Sequence, residues 1–567
     1  MTRHLPAGMP EKLEYPDCSV GDILAGSAHR YPDRPAVDDG NLRLTYAELY
    51  DHALRVAQGL RERGIRPGDV VAMHLPNSAW YTVGYYAVVL AGGVVTPINP
   101  ALPPAAVRDQ LRDTDASAAI THPANASRLA AATGDLELVA VVPPTTQYPA
   151  PDVPLPDKPG RATVRLEELL AADPAPRTPR SGDDLAHLSF TGGTTGRSKA
   201  VRVLHRHVVN NIVQVASWRT GSLPRLDDQG GLYLEAQEAA RNPHILPLGE
   251  GATIAVAPMY HTMGLNYQHV SALTGAALVI SGSFDPERYL EDIDRHGVNN
   301  LLGAPTLFHA LLGVAEASGS SYPSVRAIVS GAAPNDTTTL HRLQKVFPNA
   351  RVAEGYGLTE STFGVALSPF SGEPAAPVGS VGAPLFDTEV VIRELGGGPE
   401  VPQGGTGEVW VCGPQITDGY QNHPELTAEQ YQDGWLRTGD IGRFDEDGWL
   451  FLVGRAKDML IYKGYNVYPG PLEDLLHQHP AVALATVIGA PSPGVGEIPV
   501  GYVVPRPEMP ASPELARELM DFIAARVAPY QRIREICFTE ALPTSAAGKV
   551  LKTVLRDQHT ARTAPTA

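Results

Sequence analysis

Residues 189–201 read SFTGGTTGRSKAV. The glycines let a backbone turn tightly and come close to a ligand. The Thr and Ser hydroxyls and the bare N–H groups are natural partners of phosphate oxygens. Arg197 and Lys199 supply the opposing charge. The plain alternative is a flexible Gly/Thr hairpin. The stretch is not the Walker phosphate-loop pattern, because Arg197 follows Gly196 where that pattern needs Lys. It also lacks the G-x-G-x-x-G spacing of dinucleotide sites.

Other stretches offer rings, carboxylates and cations. Residues 351–361 (RVAEGYGLTES) read as a strand running into Gly-aromatic-Gly. That order places the Tyr356 ring, the Thr359 hydroxyl and the Glu360 carboxylate at the C-terminal edge of a sheet, where ligands bind in α/β folds. The alternative is an ordinary strand-to-helix turn with Thr359 as N-cap. Asp440 closes residues 435–440 (WLRTGD), just after a tight turn. A ribose diol needs a bidentate acceptor, which a carboxylate supplies; capping a turn is the alternative role. Arg455 and Lys457, taken alone, are solvated linker charges. Lys549 stands on a Gly-containing loop (LPTSAAGK), a common place for a surface lysine. His261, in PMYH, is a lone His, more often structural than reactive.

These side chains need a scaffold. At 567 residues the chain is too long for one ordinary domain and long enough for a large core. Hydrophobic residues make up 43% and charged residues 19%, a globular balance. The net charge of −17 argues against a nucleic-acid or anionic-membrane partner. Cys18, Cys412 and Cys537 form no pair at metal or redox spacing, as expected in a reducing compartment. The first residues lack the apolar core of a signal peptide, and no apolar run reaches the roughly 18 residues of a membrane span. The expectation is a soluble cytoplasmic protein.

Thr45 and Glu48 have capping-box spacing and open a helix to about residue 62. Strand over 69–75, helix over 79–91, strand over 94–98, helix over 105–114 and extended chain over 118–121 then alternate. Such alternation predicts a parallel α/β sheet. Prolines recur over 143–159 and 174–179, around a short helix near 166–171, and read as surface loops. Residues 223–251 read as an irregular, acidic stretch, a surface decoration or a lid or partner site. Further strands are predicted over 253–256, 277–280, 300–302 and 327–329, and a small β-subdomain over 378–411. After Gly454 the pattern restarts as a small α+β unit: helix 472–477, strands 483–488 and 500–504, helix 513–527.

TGGTTGRSKAV resembles the phosphate-binding loop of the adenylate-forming superfamily, which includes acyl- and aryl-CoA ligases, luciferases and peptide-synthetase adenylation domains. The usual pattern is T-S-G-T-T-G-x-P-K-G; here Gly192 replaces Ser, Ser198 replaces Pro and Ala200 replaces Gly. The other stretches resemble further motifs of the same superfamily, in its order, and the resemblance covers about residues 20–555. It implies that Thr191, Gly192, Gly193, Thr194, Thr195, Gly196 and Lys199 hold phosphate. It sets Gly331, Ala332 and Ala333 beside adenine and the acid substrate, and His261 at the wall or gate of the acyl pocket. Glu354, Gly355, Tyr356 and Gly357 would form the adenine end, Thr359 would contact phosphate, and Glu360 would hold Mg²⁺, which suits hard carboxylate oxygen. Asp440 would take the ribose and Arg455 would touch the nucleotide. Lys457 would be the hinge, and Lys463 with Gly464 would border the tunnel of the thiol acceptor. Lys549 matches the catalytic lysine, a mobile cation that neutralises charge as pyrophosphate leaves.

The resemblance implies an α/β fold: a large N-terminal domain of α/β sheets with a small β-subdomain (1–454) and a small mobile α+β C-terminal domain (455–567). The activity implied is ATP-dependent ligation of a carboxylic acid, fatty or aryl, to CoA through an acyl-AMP, with ATP, Mg²⁺ and CoA as cofactors. Positioning and charge stabilisation would carry it, with no covalent nucleophile. The alternative keeps the adenylation but changes the acceptor or acid: an amine, a carrier-protein thiol, or nitrite activated for diazotisation. A non-catalytic nucleotide-binding protein would be expected to lose the lysine or the metal carboxylate, and both Lys549 and Glu360 are present. The sequence does not specify the acid, the acceptor or the oligomeric state.

Overall fold

Residues 79–90, AWYTVGYYAVVL, form a helix in which every residue is buried. A helix apolar all round belongs between two layers. Here the layers are two sheets. Val71, Met73 and Val95 of one sheet and Val37, Leu278 and Val329 of the other share a single core with this helix. The structure, a computed structural model, describes residues 4–132, 136–149, 162–191, 198–242, 244–331, 337–370, 375–492, 494–544 and 550–563.

The first sheet has seven strands. Val70–His74, Val94–Pro97, Ala116–Thr121 and Leu138–Val141 are parallel, as the strand–helix alternation predicts. Its edge is an antiparallel pair, Leu185–Phe190 with Ala200–Leu204. The second sheet has nine strands. Val298–Gly303, Ala327–Ser330 and Arg351–Tyr356 lie parallel within it, so their C-terminal ends share one edge. Thr45 caps helix Tyr46–Glu62 by accepting the Glu48 N–H, the capping box legible in the sequence.

Two sequence expectations need correction. Residues 223–251 are not an irregular surface stretch. Ser222–Leu226 and Leu232–Ala236 pair as a hairpin. Leu232 and Leu234 are buried in the main core. A Cβ on Gly26 of helix Val20–Arg30 would stand 2.0 Å from the Leu232 carbonyl oxygen, so hairpin and helix are in direct backbone contact. The β-subdomain also extends past 411. Its five-stranded sheet runs from Glu389–Arg393 through Gly407–Cys412 and Trp435–Phe444 to Leu450–Arg455. The Gly/Pro-rich run revealed only its first strands.

Beyond Arg455 a short turn, Ala456–Asp458, leads into a separate five-stranded sheet with its own apolar core. Its helices Pro469–His477 and Pro513–Ala524 match the predicted ones. Among the described residues, no helix is long and apolar enough to cross a membrane.

Candidate active site

The Gly/Thr loop joins the antiparallel strands Leu185–Phe190 and Ala200–Leu204. The Thr191 N–H donates to the Lys199 carbonyl at 3.0 Å and closes its base. The Ser198 hydroxyl donates to the Thr191 carbonyl at 2.6 Å. Gly192, Gly193, Thr194, Thr195, Gly196 and Arg197 lie outside the described residues, as do Ala332, Ala333 and Lys549.

The free edge of Ala200–Leu204 pairs with residues 419–421: the Arg202 N–H donates to the Gly419 carbonyl and the Gln421 N–H to the Ala200 carbonyl. This pairing brings in Tyr420, which sequence reasoning did not single out. Gly419 has φ +116°, and a Cβ there would stand 2.2 Å from the Thr427 side chain, so only glycine fits. The Tyr420 hydroxyl donates to Glu360 Oε1 at 2.7 Å. The Lys199 ammonium lies 5.3 Å from the centroid of the same ring. Burial and the Glu360 charge push the Tyr420 phenol far up, so it stays a donor. The Glu360 carbonyl accepts from the Thr417 N–H and hydroxyl, which holds the backbone beneath the carboxylate.

At the sheet edge, Tyr356 ends its strand buried, and its hydroxyl donates to Asp440 Oδ2 at 2.6 Å. Arg455 faces Asp440 across the neighbouring strand, with Nε 2.8 Å from Oδ1. Both carboxylate oxygens of Asp440 are thus engaged, though a carboxylate has about four acceptor sites, so some acceptor capacity remains. Gly357 is fixed by close approach: a Cβ would meet the Phe363 carbonyl oxygen at 1.7 Å. Glu354 is buried and lies beside Ser330 on the adjacent strand. Gly331 and Gly355 lie together, for a Cβ on Gly331 would stand 3.7 Å from the Gly355 carbonyl oxygen. Thr359 is buried in a single 3-10 turn whose N-cap is Leu358, so it caps no helix. His261 is the N-cap of helix Thr262–Thr274 and accepts the Met263 N–H at 3.5 Å.

A cavity of about 960 Å³ gathers Thr191, Ser198, Lys199, Glu360, Tyr420, Arg437, Thr438, Gly439, Arg455 and Lys457 on its wall. The structure thus brings together side chains from the loop, the sheet edge, the β-subdomain and the linker. Cations and carboxylates share that wall: Lys199, Arg437, Arg455 and Lys457 stand with Glu360, Glu408 and Glu429, and Arg437 is paired with Glu408. His261, Gly331, Glu354, Gly355, Tyr356, Gly357, Thr359, Asp440, Lys463 and Gly464 are not on that wall. Lys463 and Gly464 form an exposed two-residue turn, both with positive φ, between Tyr462 and Tyr465. Glu535, Cys537 and His559 stand at metal-ligand spacing in the small domain. Arg562 occupies that spacing with its guanidinium, which donates to Glu535 and, at 2.9 Å, to Cys537 Sγ.

The AMP-binding enzyme family profile matches residues 24–421, and the AMP-binding enzyme C-terminal domain profile matches residues 471–549. A 4-coumarate–CoA ligase-like protein of Oryza sativa subsp. japonica is 33% identical over 95% of this chain and 90% of its own length. A long-chain-fatty-acid–CoA ligase of Bacillus subtilis is 30% identical over 98% of this chain and 97% of its own. Among solved structures, ATP-bound MatB from Rhodopseudomonas palustris superposes with a TM-score of 0.79, at 27% identity, over 95% of this chain and 99% of that one. The o-succinylbenzoate CoA synthetase of Bacillus subtilis, in complex with its acyl-adenylate, gives 0.75 at 26% identity, over 96% and 99% of the two chains. The chain belongs to the AMP-binding enzyme family, on the acyl- and aryl-CoA ligase branch of the adenylate-forming superfamily.

Proposed function

We propose that the protein is an ATP-dependent acid–CoA ligase that activates an organic carboxylic acid, fatty or aryl, as its acyl-AMP. The observation that carries this reading is the cavity on whose wall Lys199, Glu360 and Arg455, the ion-pair partner of Asp440, converge. A carboxylate oxygen of the acid attacks the α-phosphorus, the bond to the β-phosphate oxygen breaks, and pyrophosphate leaves. The CoA thiolate then attacks the acyl carbon, the acyl C–O bond breaks, and AMP leaves.

Each residue has a part in holding charge or shape. Lys199 and the loop around Thr191 face the phosphates. Asp440, fixed by Tyr356 and Arg455, accepts from the ribose hydroxyls. Gly331, Glu354, Gly355 and Gly357 shape the adenine and acid end. Glu360 accepts one phenol hydrogen bond on a hard carboxylate and keeps acceptor capacity, so it fits Mg²⁺. When bound, Mg²⁺ neutralises phosphate charge there. Lys549 supplies the mobile cation at the departing pyrophosphate. The unit from 455 onward then turns about Lys457 and brings the Lys463–Gly464 turn to the thiol. ATP and CoA as co-substrates are compatible with the cytoplasm, where both are present.

A pyrophosphate-release screen tests the proposal, with fatty acids, aryl acids and nitrite, each with CoA, with a carrier protein and without acceptor. The expected result is release with one class of organic acid and a CoA thioester as product. Release with nitrite alone, or thioester only on a carrier protein, would replace the reading.

A further inference from the structure

The residue that touches both charged ends of the cavity is Tyr420, and neither motif spacing nor the roles above assign it a function. Its backbone is fixed twice, by the bridge to Val201 and by the N–H donated to Thr427 Oγ1 at 2.9 Å. Its side chain is 6% exposed. Lys199 rests against the ring face at 5.3 Å, and Glu360 sits at the hydroxyl tip at 2.7 Å. An ammonium and a carboxylate in one partly buried cavity attract strongly. Left to themselves they would close on each other, and each would be lost to its ligand. The ring gives the ammonium an electron-rich face instead, and the phenol gives the carboxylate a donor.

Resting on the reading that Lys199 faces phosphate and Glu360 holds the divalent cation, we propose that Tyr420 is a positioning residue. It acts as a spacer that keeps Lys199 and Glu360 apart and aimed, so that triphosphate and cation are seated in register. Its two contacts are separable. Tyr420→Phe removes the hydroxyl and keeps the ring; Tyr420→Leu removes both.

The test measures nucleotide binding by calorimetry and Mn²⁺ binding by electron paramagnetic resonance, on the full chain with ATP. Melting temperatures check folding. In Tyr420→Phe, ATP affinity without divalent cation should stay at the wild-type value. Mn²⁺ affinity in the presence of ATP should fall by about tenfold or more, as when the partner of a metal carboxylate is removed. Excess Mg²⁺ should restore pyrophosphate release. In Tyr420→Leu, ATP affinity without cation should fall as well, by roughly two- to thirtyfold. Glu360→Gln is the companion variant. If it weakens Mn²⁺ binding while Tyr420→Phe does not, the spacer role is overturned and the role of Glu360 stands. If Glu360→Gln leaves Mn²⁺ binding unchanged, the reading of Glu360 fails and the proposal falls with it. If Tyr420→Leu does not fold, Tyr420→Phe alone decides, since its ring preserves the packing.

Discussion

Asp440 is buried, takes hydrogen bonds from Tyr356 and faces Arg455 across a strand pair. Lys463, on the other side of the Ala456–Asp458 turn, stands on an exposed two-residue turn whose neighbour Tyr465 is 56% exposed. The first group cannot shift without breaking a sheet; the second stands on a turn of the separate small unit. Tyr420 and Glu360 belong with Asp440: both are tied to segments distant in sequence. On the proposed function the contrast is a division of labour. Groups that must keep one geometry are locked by cross-chain hydrogen bonds, and groups that serve one step only ride on a unit joined through a short turn.

The largest expected effect is on the small unit. Lys549→Ala should lower ATP–pyrophosphate exchange by roughly a hundred- to a thousandfold, because a charge used at the transition state is lost. ATP binding should stay within the error of calorimetry. Exchange at the wild-type rate would end the assignment. Next comes the locked side. Asp440→Asn keeps the shape but leaves the Arg455 guanidinium and the Tyr356 phenol without a charged acceptor. ATP affinity should weaken by roughly ten- to a hundredfold, read by equilibrium binding. An unchanged affinity would mean that Asp440 only braces the strands.

Lys457→Pro sharpens the comparison, since it fixes φ near −65° and removes an N–H at the turn between the two regions. Acyl-AMP formation should stay within about twofold, while transfer to CoA falls by about tenfold or more. The two half-reactions are measured separately by rapid quench. Equal loss in both would mark a folding defect, and normal transfer would show that the chain pivots elsewhere.

A last effect is on stability rather than on turnover and falls on the large domain. Burial holds His74 down to about 4, His187 to about 3 and His205 to about 4, all inside that domain. Each stays neutral when folded, while an unfolded histidine gains a proton near 6.5. Their contribution is therefore complete above pH 6.5 and is lost as pH falls from there toward 4 and then 3. Each adds a slope of about 1.4 kcal/mol per pH unit in that window. Urea unfolding between pH 7 and pH 4 should show the fall, and His74→Gln should flatten it. A flat profile in the wild type would mean that the buried rings have room to protonate.

What the sequence determined by itself was local chemistry and local periodicity. Glycine freedom, hydroxyls and Lys199 predict a phosphate loop because those properties belong to each residue wherever it sits. Thr45 and Glu48 announced a helix start because both halves of a capping box lie within one turn. The alternation over 69–121 announced parallel strands because burial on both faces writes itself as continuous apolar runs. Tertiary structure decided the rest. Residues 223–251 contain a core hairpin, yet Leu232 and Leu234 become apolar anchors only once helix Val20–Arg30 covers them. Tyr420 belongs to no motif, and only strand Ala200–Leu204, pairing along residues 419–421, turns it into the contact between Lys199 and Glu360. A side chain's chemistry is fixed by its own atoms. Its partner is fixed by which distant backbone the core brings alongside, and no local pattern encodes that neighbour.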